Sequence, residues 1–202
     1  MKIKNICYSS KDNKSVLSAQ ITLNRGKKHD IYFEVDKEFK DFISKDASPF
    51  LAATLAISMK KNDALEIYGA ISKSLMTNTS EIMKILKSWD LGFNPVSIKA
   101  NFLNKDLKKP KNVGCFFSGG VDSFYTYLKN KNKINYLIFV HGFDIKAEVI
   151  VLYKKIEKNI IKIAKKEKVK LINVKTNIRK TLDQYFDCDM YHEFALASVS
   201  LF

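Results

Sequence analysis

Three early stretches of the chain, residues 1–8, 15–23 and 30–35, are separated by turns of Lys, Asp, Asn and Gly, and apolar positions recur with a period of two at Leu17, Ala19 and Ile21 and at Ile31, Phe33 and Val35. That period belongs to strands with one face buried and one face wet. Three strands are therefore expected first, with a hairpin turn at residues 24–27, Asn-Arg-Gly-Lys, between the second and third. Residues 50–59 are apolar almost throughout and follow Asp46-Ala47-Ser48-Pro49. Ser48 suits a helix N-cap there, and Pro49 the first helical position. Residues 64–71 read as another strand, 72–89 as a helix and 96–102 as a last strand before a lysine-rich linker at 103–111 that contains Pro110. Together these elements predict an α+β unit over residues 1–110.

Beyond residue 111 the pattern changes to short apolar runs separated by amphipathic stretches. An apolar strand at 112–117 runs directly into Ser118-Gly119-Gly120-Val121-Asp122-Ser123 and then into a helical pattern. Residues 134–140 have the length and continuous apolar character of a strand covered on both faces, and they end at His141-Gly142-Phe143-Asp144. Across 147–168, Val149, Leu152, Tyr153, Ile156, Ile160 and Ile163 recur at helical spacing, with lysines largely on the other side. A third strand follows at 170–175, then Thr176-Asn177-Ile178-Arg179 and a helical stretch through Phe202. Strands alternating with helices predict parallel βαβ units, whose ligands sit beyond the carboxyl ends of the strands. Residues 118–123, 141–144 and 176–179 all fall at that rim.

The segment at 118–123 carries the chemistry. Without side chains at Gly119 and Gly120, the backbone can turn sharply and bring its N–H groups against phosphate oxygens, and Ser118 and Ser123 add hydroxyl donors. The spelling is neither G-x-x-x-x-G-K-[ST], since no Lys follows the glycines, nor the dinucleotide fingerprint G-x-G-x-x-G. A di- or triphosphate is the expected guest.

Ser-Gly-Gly-Val-Asp-Ser between a strand and a helix resembles the pyrophosphate loop of the N-type ATP pyrophosphatases, the PP-loop or adenine-nucleotide alpha-hydrolase-like superfamily. With Phe-Val-His-Gly-Phe-Asp at 139–144, Tyr-His-Glu-Phe-Ala-Leu-Ala-Ser at 191–198 and the preceding α+β unit, the chain looks most like 7-cyano-7-deazaguanine synthase-like proteins. The likeness covers about residues 112–202. It implies an α/β fold: a parallel-sheet, Rossmann-like PP-loop domain at 111–202, incomplete at its C-terminus, preceded by a smaller α+β domain at 1–110 of unknown role. It further implies ATP and Mg2+ as cofactors, and a ligase-type reaction in which a substrate carboxylate or amide oxygen is adenylated and pyrophosphate leaves. The carried-over ATP-binding residues are Ser118, Gly119, Gly120, Val121, Asp122, Ser123, Val140, His141 and Gly142. Asp122, Ser123 and Arg179 are the catalytic candidates, with Asp122 also the metal ligand. The zinc-binding cysteines of the synthase have no counterpart here, so synthesis of that base is not implied.

Several residues keep two readings. Arg179 stabilises phosphate charge or is a surface cation; His141 contributes its ring or only its backbone; Asp144 receives a ribose hydroxyl or ends a strand. His192 beside Glu193 is a general base or a partly buried helical histidine. At the level of function, the alternatives to adenylation are a nucleotide-binding module without turnover and an RNA-modifying enzyme of the same superfamily.

Composition narrows the setting. A chain of 202 residues that is 46% apolar and 28% charged can bury a sizeable core. Cys7, Cys115 and Cys188 have no C-x-x-C spacing, so a reducing compartment is expected, and no run approaches the length of a membrane span or a signal peptide. A cytoplasmic protein without membrane contact follows as the expectation. The net charge of +14 comes from 35 basic residues, of which only Arg25 and Arg179 are arginines. Base recognition favours the planar Arg fork, so the lysines are either a solvated surface or an RNA or DNA contact. The expected partners are a small-molecule or modified-base substrate, RNA, and a homo-oligomer or partner chain covering the apolar C-terminal helix.

Overall fold

The computed structural model describes residues 1–23, 26–103, 111–186 and 191–202. β1 (Lys2–Lys11), β2 (Lys14–Thr22) and β3 (Lys28–Asp36) form an antiparallel meander. Its alternation is the one expected: Leu17, Ala19 and Ile21 of β2 and Ile31, Phe33 and Val35 of β3 are buried, while the intervening Ser18, Gln20, Tyr32 and Glu34 stay half-exposed. Of the hairpin expected at 24–27, residues 24 and 25 lie outside the described residues. Gly26 N–H donates to the Leu23 carbonyl at 3.0 Å, and Leu23 N–H to the Lys27 carbonyl at 2.9 Å.

A 3-10 turn (Lys37–Phe42) leads to α1 (Ser48–Lys61), whose residues 48–59 are all buried. Its hydroxyls are satisfied locally, as when Thr54 donates to the Phe50 carbonyl at 2.8 Å. Ser48 is inside this helix, not its cap; Ala47 is the N-cap, and Asp46 Oδ1 accepts from Ser48 N–H at 2.7 Å. β4 (Leu65–Ile71), α2 (Lys73–Ser88) and β5 (Ile98–Phe102) follow, β4 pairing parallel with both β1 and β5. Ser72 caps α2 by accepting from Leu75 N–H at 3.3 Å. Residues 104–110 of the expected linker lie outside the described residues.

The second half supplies β6 (Gly114–Phe116), α3 (Val121–Asn130), β7 (Tyr136–His141), α4 (Ile150–Glu167), β8 (Lys170–Thr176), α5 (Ile178–Leu182) and α6 (His192–Leu201). β6, β7 and β8 are parallel, as their alternation with helices requires. Among the described residues, the helical stretch expected through Phe202 holds two separate helices, α5 and α6. α4 begins at Ile150 rather than near Ala147, and its start is open: Val149 and Leu152 are each a little under half exposed, whereas Ile160 and Ala164 are buried.

The eight strands form one mixed sheet in the order β5-β4-β1-β2-β3-β8-β7-β6. The joint is antiparallel, with Phe33 opposite Thr176 and Glu34 opposite Lys175. The boundary expected between residues 110 and 111 therefore divides a continuous sheet, and the main core crosses it. Phe33 stacks on Phe202 at 5.4 Å and lies 5.7 Å from Phe50, and Phe93 stacks on Phe186 at 6.1 Å. Ser44 N–H donates to the Phe202 carbonyl at 2.6 Å. The apolar helix for which a partner chain was expected packs on α1, burying Ala195, Ser198 and Val199. A second core under α3 and α4 gathers Cys115, Phe117, Tyr127, Leu137, Phe139 and Ile160. Among the described residues no helix is long and apolar enough to cross a membrane.

Candidate functional site

β6 delivers the chain to the carboxyl edge of the sheet, where it turns at Ser118-Gly119-Gly120 into α3. Gly119 has φ +83°, in the left-handed region that favours glycine, and nothing lies within 4 Å of where its Cβ would be. Gly120, the N-cap of α3, is extended at φ −80° and ψ 168°. Its N–H reaches Ser118 Oγ at 3.4 Å, its carbonyl accepts from Phe124 N–H at 3.0 Å, and Ser123 Oγ donates to that same carbonyl at 2.8 Å. A helix start leaves its first N–H groups without intrahelical partners, so those of Val121, Asp122 and Ser123 are donors at the positive end of the α3 dipole. Residues 118–122 are solvent-exposed. Asp122, in the first turn, makes no hydrogen bond or ion pair with any described residue.

The loop opens onto a cavity of about 680 Å³, within the range of small-molecule sites. The cavity wraps around the free edge of β6. Ser118, Asp122 and Ser123 line one end, Asn130 and Lys133 line other parts of the wall, and Val140, Phe143, Asp144, His192 and Leu196 come from the β7 end and α6. Two carboxylates, three hydroxyls counting Thr126, one amide, one imidazole and one ammonium thus lie along an otherwise largely apolar wall. Nothing in the local sequence of Lys133 marks it as a site residue, and Phe143 and Leu196 lie in the segments 139–144 and 191–198 without being singled out by them; the packing of α3 and α6 around β6 brings all three in.

The other rim candidates go elsewhere. Val140 lines the cavity, but His141 and Gly142 do not. The His141 ring is buried against Tyr153 at 3.8 Å between centroids and 11° between planes, and its Nε2 has no hydrogen-bond partner among the described residues. Burial, reinforced by the charge of Lys175, holds the His141 pKa below the usual imidazole value, although a hydrogen bond with the Lys146 backbone opposes this. Tyr153 in turn donates to Glu157 at 2.9 Å, and Asn173 Nδ2 donates to the same carboxylate oxygen at 2.9 Å. Burial first, and then the Glu157 bond, push the tyrosine pKa up. Gly142 is required by packing: at φ +115°, a Cβ there would stand 1.9 Å from the Thr176 carbonyl oxygen.

Arg179 binds loops together. Its Nη1 donates to the Phe143 carbonyl at 2.6 Å and its Nε lies 3.1 Å from Asp183 Oδ2. It lines a separate polar cavity of about 350 Å³ with Gly142, Lys146, Asn177 and Lys180. Its contact with the residue before Asp144 couples it to the large cavity through backbone. His192 and Glu193 also part company. His192 faces the large cavity, 6.2 Å from the Phe143 ring, whereas Glu193 faces a different groove, as adjacent helical positions must.

Cys7 and Cys115 are free thiols, Cys115 buried in the β6 core, and Cys188 lies outside the described residues. Among the described residues no group of three or more His, Cys, Asp or Glu is arranged to hold a metal. A Mg2+ ion needs only one or two carboxylates when phosphate oxygens complete its shell, and the free Asp122 carboxylate beside the α3 donors fits that requirement. Comparison of the chain with protein-family models, curated proteins and solved structures finds no match.

Proposed function

We propose that residues 118–123 hold the pyrophosphate end of ATP and that the chain is a PP-loop ATP pyrophosphatase that adenylates a substrate. The observation that carries this reading is the open left-handed turn at Gly119, which feeds into the unpaired N–H groups of α3 at the mouth of a 680 Å³ cavity. Anionic oxygens are the natural complement of such a turn. The net charge of +14 favours approach of a polyanion from any direction.

In this reading the N–H groups of Val121, Asp122 and Ser123 and the Ser118 hydroxyl hold the β- and γ-phosphates. The Val140 end of β7 edges the nucleoside. A substrate carboxylate or amide oxygen attacks the α-phosphorus, the bond from that phosphorus to the bridging oxygen breaks, and pyrophosphate leaves with the electron pair. The donors of the loop and α3 stabilise the charge that develops on the leaving oxygens. Asp122 would hold a Mg2+ ion, which would supply further charge neutralisation when bound. Arg179 acts as a positioning residue, holding the Phe143 backbone and with it Asp144.

The test has two stages. ATP with Mg2+ should bind to the parent protein and bind more weakly to Asp122→Ala, measured by calorimetry. A panel of carboxylate, amide and modified-base substrates should then support exchange of labelled pyrophosphate into ATP. Binding without exchange or AMP formation by any substrate would leave a nucleotide-binding module in place of an enzyme, and absence of binding would remove the nucleotide altogether.

A further inference from the structure

A second concavity, of about 440 Å³, lies between α1, α2 and α6 on the opposite side of α6 from the loop cavity. α6 is the wall between the two. It turns His192 and Leu196 to one and Glu193, Phe194, Ala197 and Leu201 to the other. Leu55 of α1, Ile82 and Ile85 of α2 and Trp89 just beyond it supply much of the remaining lining. Ile85 and Trp89 are each 55% exposed, too much apolar surface at one place to be scattered surface residues.

Among the described residues of the lining, polar atoms come from Thr79, Glu193 and the indole N–H of Trp89, and Glu193 alone is charged. The Thr79 hydroxyl is already spent on the Leu75 carbonyl at 2.7 Å. Glu193 is exposed and makes no ion pair or hydrogen bond with any described residue. The ammonium groups on the flanking helices have partners other than Glu193: Lys60 binds the Leu91 carbonyl and lies over Phe93, both at the groove's own edge, Lys87 donates to Asn94 at 2.9 Å, and Lys84 to Glu81 at 2.8 Å. In a chain of net charge +14, an unpaired carboxylate beside an apolar groove is the local exception. We infer that this groove binds a small amphiphile with an apolar body and one cationic group, the body against Leu55, Ile82 and Trp89 and the cation at Glu193. A second copy of the chain is a poorer occupant, because two bodies of the same large positive charge repel. The inference is independent of the nucleotide reading, since it concerns the other face of α6.

Trp89 is the sole tryptophan of the chain and lines the groove, so its fluorescence reports directly on the occupant. The full chain is titrated with decylamine, decanol and decanoate below their aggregation concentrations. Decylamine should produce a saturable blue shift and bind roughly three-fold more tightly than decanol, the scale of a partly exposed charge pair, with decanoate weakest. Glu193→Gln should erase the preference for the amine over the alcohol, and Ala197→Phe should block all three by filling the groove. Ile85→Lys, at an exposed position that folding tolerates, should depress amine binding most. No saturable response to any probe would overturn the inference, as would decanoate binding as well as decylamine or an unchanged order in Glu193→Gln. Glu193 also sits in the first turn of α6, where a carboxylate stabilises the helix dipole. If that were its whole role, Glu193→Gln would lower the melting temperature and leave the ligand order intact, which overturns the proposal. So would a concentration-dependent dimer in sedimentation that decylamine dissociates, because the groove would then be a self-interface.

Discussion

Replacing Gly142 by alanine tests whether the rim of the sheet is held by close backbone packing. Two costs can be read from its geometry. A φ of +115° is one that L-residues adopt only under strain, at about 1–3 kcal/mol. The new Cβ would also lie 1.9 Å from the Thr176 carbonyl oxygen, so the ends of β7 and β8 must separate by roughly an ångström or more to reach ordinary contact. That movement loosens the Gly142 N–H bond to the Ile145 carbonyl, now 2.9 Å, and the pairing of His141 with Lys175, at about 1 kcal/mol for each interaction lost. A destabilisation of about 3–5 kcal/mol follows, a large part of the 5–15 kcal/mol typical of a folded domain. For a chain of this size it corresponds to a fall in Tm of roughly 6–20 °C. Gly119→Ala is the control. Its φ of +83° carries a strain cost of about 1–2 kcal/mol, but no atom lies within 4 Å of the added methyl. Scanning calorimetry of the two variants beside the parent decides the matter. If Gly142→Ala melts no lower than Gly119→Ala, the close approach to Thr176 does not constrain the rim and the reasoning fails.

Other outcomes follow from the same geometry. Because the His141 pKa is lowered on folding, the unfolded chain takes up its proton first, so stability should fall as pH drops below the unfolded value of about 6.5. His141→Phe keeps a ring on Tyr153 and should flatten that dependence in urea titrations between pH 7 and 5; an unchanged slope would show that the ring does not titrate as its burial requires, with the residual slope assigned to His29, whose pKa burial also lowers. Phe202→Ala removes the ring stacked on Phe33 and should cost about 3 kcal/mol in denaturant unfolding as one transition, whereas two transitions would mean that the halves of the sheet fold separately. Asp122→Ala should weaken ATP binding in the presence of Mg2+ and change it little in EDTA; an equal loss in both would remove the carboxylate from metal binding.

Much of the architecture was legible in the sequence because it is local. Period-two alternation at Leu17, Ala19 and Ile21, the continuous apolar run of β7 and the glycine turn before α3 each follow from residues within one or two turns of one another, and each is where the pattern predicts it. Pairing across the chain was not legible. Phe33 is written as an inward residue of β3, but nothing near it in sequence says that Phe202 stacks on it or that Thr176 lies opposite. A hydrophobic face states that it must be covered and leaves its cover unnamed, which is why the sequence of α6 shows an apolar helix but not that α1 packs on one of its faces. The same limit governs the site. The turn at Gly119 and Gly120 is a property of six consecutive residues. The cavity it faces depends on how α3, β7 and α6 pack around the edge of β6, which brings Lys133 and Leu196 to it and turns His141 and Arg179 away. Backbone conformation is decided by neighbours a few bonds apart, whereas a side chain's direction relative to a cavity is decided by contacts that only the closed tertiary structure makes.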